Sequence, residues 1–128
     1  MTCSGSWRRF WQRNLADTRT MILSGSRSSM SLIGIVRYLT EVEAYWLRVV
    51  LLDELDVPDY YCTPASQDGD FDDIDPATAA ADVAAYQAEV VTTRANATAW
   101  IDLAVPVRAL RKGQQVNLRW ILTHLIEE

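Results

Sequence analysis

Two residues near the end of this sequence, His124 and Glu128, are of types that bind metals or move protons, and their spacing of four places them on one helical face. Together they could offer an imidazole and a carboxylate to a divalent ion. His124 is the only histidine in the chain. It lies off the Leu118/Leu122/Leu125 stripe and over Trp120, so it reads first as a boundary residue and only then as a ligand. A second pattern, Asp68-Gly69-Asp70-Phe71-Asp72-Asp73, has the alternating acids of a calcium loop. Its sixth position is Asp73 where glycine is needed and its twelfth is Ala79 where glutamate is needed, so a solvated acidic loop is expected. Glu43 is placed among Leu32, Val36 and Val50, where a carboxylate must find a base or a donor; Arg94 or Arg119 is expected to supply it. A structural ion pair outweighs a general base there. Cys3 and Cys62 are isolated thiols without CxxC spacing, expected to stay reduced and to hold no ligand.

The elements that must position these groups read as helices. A chain of 128 residues, 49% hydrophobic and 23% charged, makes one folded domain, residues 1–128. Trp7, Phe10, Trp11, Leu15 and Ile22 suit a first amphipathic helix opened by Ser6, followed by a loop over residues 24–31. Leu32, Ile35, Val36, Leu39, Val42, Trp46, Val49 and Val50 define a central second helix capped by Ser31. Residues 53–74, with Pro58, Pro64 and Gly69, form a long surface loop. Asp75-Pro76 opens a third helix running to about Ala97, with Ala80, Val83, Ala84, Gln87, Val90, Val91 and Arg94 along its packing side. Residues 102–107 are extended, and residues 108–115 make a basic turn around Gly113. From Asn117 a last helix carries Leu118, Ile121, Leu122, Leu125 and Ile126. No capping signal closes it, and Glu127 and Glu128 oppose its dipole, so a longer helix cut short is expected. With no strand pattern, the expectation is an all-α, up-and-down four-helix bundle with a long loop between helices 2 and 3 and a shortened last helix.

Charge narrows the partners. Residues 1–30 hold five arginines against one aspartate, while residues 53–75 hold nine carboxylates and no base, for a net charge of −5. Acidic overall, the chain is not expected to bind nucleic acid. No apolar run reaches the roughly 18 residues of a membrane span, and Trp7-Arg8-Arg9-Phe10-Trp11 is not followed by the apolar stretch of an export signal. A cytoplasmic protein with no membrane partner is expected. The short last helix would leave apolar surface that a second copy could cover, as a homodimer.

The run from Ser31 to Trp46, SLIGIVRYLTEVEAYW, resembles the signature second helix of the DinB-like four-helix-bundle family. More narrowly, it is similar to an actinobacterial branch known as a domain of unknown function and related to mycothiol-dependent enzymes. The tail from Val116 to Glu128, VNLRWILTHLIEE, resembles the start of that branch's last helix, and Tyr60-Tyr61-Cys62-Thr63 with Asp68 to Asp72 resembles its linking loop. Residues 1–30 match poorly and form an atypical N-terminal segment.

The resemblance implies a divalent metal, zinc or nickel, held by a histidine on the second helix and by an acid and a histidine four apart on the last. It also implies activation of a low-molecular-weight thiol such as mycothiol for transfer or isomerisation. Carried over by residue, the second-helix ligand position is Tyr38, a weak ligand at neutral pH. The acidic position is Glu128, whose partner would lie beyond the last residue. His124 matches a histidine that relatives do not use as a principal ligand. The expectation is therefore a member with an incomplete metal site, no bound metal and no catalytic residue of its own, inactive as it stands. Two alternatives accompany it: a thiol transferase or isomerase completed by oligomerisation, and a noncatalytic dimerisation module or gene remnant.

Overall fold

Ser31 stops the chain from entering a helix one residue early: its extended backbone turns the hydroxyl onto the Gly34 N–H at 3.0 Å, and α1 (Leu32–Ala44) follows. The structure, a computed structural model, describes residues 31–128. The first helix expected from Ser6, and Cys3 with it, lie outside the described residues.

α1 does not end at Ala44 but widens into a π-helical run, Tyr45–Val50, in which the Leu51 N–H reaches the Trp46 carbonyl five residues back. Trp46, Leu47, Val50 and Leu51 at this end all face inward, each buried. Asp53, at φ 56°, takes the left-handed conformation that closes the helix, and the Arg48 side chain grips Glu54 at 2.9 and 2.7 Å just beyond.

The connection that follows is packed against the helices. It contains a single short turn, α2 (Gly69–Asp72), and then a 3-10 turn, Pro76–Thr78, opened by Asp75 accepting from the Ala77 N–H at 2.9 Å. α3 (Ala79–Ala99) continues from it. α1 and α3 then lie side by side in the same sense, since Arg37 meets Asp82 near their starts and Leu47 meets Asn96 near their ends. The long connection carries the chain back to its starting end, so these neighbours are not the up-and-down pair the sequence suggests.

α3 also turns the opposite way from expectation. Ala80, Val83, Ala84, Gln87, Val91 and Arg94 are exposed, with Val91 at 71%, while Asp82, Glu89 and Thr93 are buried. A polar stripe wins because α1 offers it partners. Arg37 Nε donates to Asp82 at 2.9 Å, Arg48 Nη1 to Glu89 at 3.1 Å, and the Thr93 hydroxyl to Glu43 at 2.7 Å. Glu43 thus takes a hydroxyl donor, not Arg94 or Arg119. Tyr60 adds its hydroxyl to Glu89, and Arg48, between Glu54 and Glu89, is held firmly in its charged form.

The all-α expectation fails at residues 106–117. β1 (Pro106–Arg111) and β2 (Gln114–Asn117) form an antiparallel hairpin, with Leu110 opposite Gln115 and Arg111 opposite Gln114, and a bulge towards Pro106. Lys112 and Gly113 connect them at φ 49° and 77°, the pair of positive values that a two-residue hairpin turn of type I′ requires. What reads in the sequence as a basic turn is the tip of this hairpin. Val107 is fully buried on its inner face. α4 (Leu118–Glu127) follows, capped by Asn117 on the Trp120 N–H at 2.9 Å, and runs antiparallel to α1. Its Leu118 and Ile121 join Val42, Trp46, Leu47, Val50, Leu51 and Val107 in the core, while Leu122 and Ile126 face outward. Among the described residues, no helix is long and apolar enough to cross a membrane.

Replacing Asp82 by Ala strands the buried Arg37 charge. We expect urea denaturation to show a loss of roughly 3 kcal/mol; a loss below about 0.5 kcal/mol, the scale of an exposed pair, would remove the structural role given to this contact.

Candidate functional site

The antiparallel packing of α1 and α4 brings together the three residues singled out in the sequence. Tyr38 is on the α4-facing side of α1, four residues before the core begins at Val42. Its hydroxyl donates to Glu128 Oε2 at 2.6 Å. The other carboxylate oxygen of Glu128 lies 2.9 Å from His124 Nε2, one helical turn back on α4, and His124 Nδ1 lies 3.8 Å from the exposed Glu127. Glu128 therefore has a phenol on one oxygen and an imidazole on the other.

Burial is the main reason the Tyr38 phenol titrates well above its ordinary value, and the hydrogen bond to Glu128 and the charges of Glu128 and Asp70 push the same way. The phenol keeps its proton. It is a donor to Glu128 and not an anion.

An aromatic wall continues the site along α4. His124 stacks on Trp120 at 4.9 Å and 11°, and meets the buried Trp46 edge-on at 4.8 Å. The hairpin supplies a cation to the same wall: the Arg111 guanidinium lies 5.3 Å from the Trp46 ring and 5.2 Å from that of Trp120. On the other side of Tyr38, the Phe71 ring from α2 is 5.9 Å away. A glycine at position 34 admits this ring, because a Cβ there would lie 2.8 Å from Phe71 Cδ1.

In the sequence, Trp46 reads only as core and Arg111 only as part of a basic turn. The spacing Trp120, His124, Glu128 was a usable signal, since it sets an aromatic, an imidazole and a carboxylate one above another on a single face. In the Asp68–Asp73 pattern Asp68, Asp72 and Asp73 are exposed, as expected of a solvated acidic loop, but Asp70 points inward and is fully buried. Among the described residues no three His, Cys, Asp or Glu side chains are grouped closely enough to hold a metal ion.

A family model described as mycothiol-S-transferase matches residues 11–128. The chain belongs to the mycothiol-S-transferase family. No curated protein and no solved structure matches it. The match covers all of α1 to α4 and the hairpin. The two strands are thus part of this mycothiol-S-transferase family member as matched, not an appendage to it.

Replacing Tyr38 by Phe removes the donor to Glu128 Oε2 without changing the ring that packs on Phe71. We expect a loss of about 1 kcal/mol in chemical denaturation, with the helical circular dichroism of the folded protein unchanged. No measurable loss would contradict the hydrogen bond as a stabilising contact.

Proposed function

We propose that this mycothiol-S-transferase family member does not carry the three-ligand divalent metal that its family resemblance implies, and that as it stands it is not an active metal-dependent thiol transferase. The observation that carries this is the 2.6 Å contact from Tyr38 to Glu128. A metal at this place would need an anionic or neutral lone-pair donor from α1. Tyr38 offers a protonated hydroxyl whose proton is directed at the very carboxylate that would be the next ligand. His124, the one imidazole, sits against the remaining oxygen. The donor set therefore does not fit a zinc or nickel ion. In this reading Glu128 is a hydrogen-bonded strut between α1 and α4, with Tyr38 in place of a ligand and His124 outside any ligand set.

A second reading is a thiol transferase or dimerisation module completed by another copy of the chain. It is favoured by Leu32 and Ile126, 85% and 86% exposed on the two helices that Tyr38 and Glu128 join. Light scattering on the purified chain separates the readings, because a monomer at working concentration removes the second.

Expression with added zinc or nickel, followed by metal analysis, is expected to give far less than one ion per chain. Replacing Tyr38 by His supplies a lone-pair donor beside Glu128 and His124, and is expected to raise zinc affinity by at least about tenfold, on the order of 1.4 kcal/mol. One tightly held ion per wild-type chain would overturn the proposal.

A further inference from the structure

The hairpin and the first turns of α4 lie in a stretch without acids. From Leu103 to Ile126 there is no aspartate or glutamate, while Arg108, Arg111, Lys112 and Arg119 are basic, in a chain of net charge −5. Arg108, Lys112 and Arg119 are exposed; Arg111 is half-buried. Its guanidinium is held by two indole rings, 5.3 Å from the centre of Trp46 and 5.2 Å from that of Trp120, and the two centres are themselves 5.5 Å apart. Stacking engages the face of a guanidinium and leaves its in-plane N–H groups available. Among the described residues no carboxylate, carbonyl or hydroxyl accepts from them.

The inner ring has a matching lack. Trp46 is fully buried, and among the described residues its indole Nε1 meets no acceptor. A buried N–H in that condition is rare in folded proteins and calls for an oxygen. A cation without an anion thus lies against a donor without an acceptor, and one oxygen anion answers both. Across the hairpin Arg111 pairs with Gln114, so their side chains share a face of the ribbon, and the exposed Gln114 amide adds donors beside the guanidinium. The cluster opens to solvent at Gln114 and at Trp120, which is 38% exposed.

We propose that Arg111, with Trp46 and Gln114, forms a binding site for the carboxylate group of a small molecule. The two oxygens of a carboxylate match the paired N–H groups along one edge of a guanidinium, and its single charge matches a single cation. A phosphate dianion calls for a second cation, and among the described residues no other cation stands over these rings. The rings fix the guanidinium in advance, so little side-chain freedom is lost on binding. The site is independent of the Tyr38–Glu128 contact and of any metal.

The test is a titration of the full chain with sodium acetate, with sodium chloride exchanged for it to hold ionic strength constant and no divalent metal added. The Trp46 indole N–H and the Arg111 Nε–H are followed in nitrogen-proton correlation spectra. Both are expected to shift together and to saturate, with a midpoint on the order of 1 to 10 mM. Arg111→Gln is expected to weaken the saturable Trp46 shift by at least about tenfold, with the helical circular dichroism unchanged. Arg111→Lys keeps the charge but loses the fork, and is also expected to bind more weakly than wild type; equal binding would reduce the site to general charge attraction and overturn it. Sodium phosphate is expected to saturate at a higher concentration than acetate, and saturation at a lower one would overturn the assignment to a carboxylate. Acetate that moves neither resonance, or moves them without saturation, would overturn the proposal, and this wild-type result decides it even if no variant folds.

Discussion

A single buried guanidinium sets the arrangement of this domain. Arg37 is 5% exposed, and it donates to the Asp82 carboxylate, the Gly69 and Asp73 carbonyls and the Thr78 hydroxyl, with the Tyr61 ring 4.6 Å from its carbon. An arginine at that depth is tolerable only if its donors are met. Meeting them requires α3, α2 and the connecting segment to converge on one residue of α1. The polar face of α3 must then point inward, and the long connection must lie flat on the helices instead of looping into solvent. Arg48 repeats the device further along with Glu54, Glu89 and Tyr60. Between them the two arginines make the α1–α3 interface a polar ladder, and the apolar core lies among the end of α1, the π-helical run, the hairpin and α4.

That division of labour explains how the Tyr38 region is formed. The π-helical run commits Trp46 to the core, and Trp46 in turn gives Trp120, His124 and Arg111 a surface to pack on. His124 is thereby oriented by stacking before any polar partner is considered. Glu128 comes to Tyr38 because α4 is antiparallel to α1 and anchored at its other end by Leu118 and Ile121. The phenol then donates to one oxygen of Glu128, and the imidazole lies against the other. In the proposed reading, a hydrogen-bonded contact occupies the place where the family resemblance implies ligands.

How much of this could be read from the residues depends on which signal governed each element. Caps were legible: Ser31, Asp75 and Asn117 each close a helix start with the side chain their type predicts. The carbon-rich stripes of α1 and α4 were legible for the same reason, because burial of apolar area selects them. The inward face of α3 was not, since its small apolar residues and its polar residues compete, and the winner is decided by arginines on another helix. The hairpin was missed although Lys112-Gly113 sits between alternating residues, because Lys is not the usual first residue of such a turn and the strands are short. Buried acids such as Glu41 and Asp70 carry no local mark; only the packing of the connection reveals them. Tyr38 and Glu128, 90 residues apart, were paired only through the family resemblance, and the structure supplies the contact itself.

In the proposed reading Tyr38 and Glu128 bind each other and not a metal. The most direct measurement is a zinc titration of the wild-type chain followed at the resonances of Tyr38, His124 and Glu128. These resonances are expected to stay in place as zinc is added to and beyond one equivalent. Joint shifts of all three that saturate at one equivalent would contradict it.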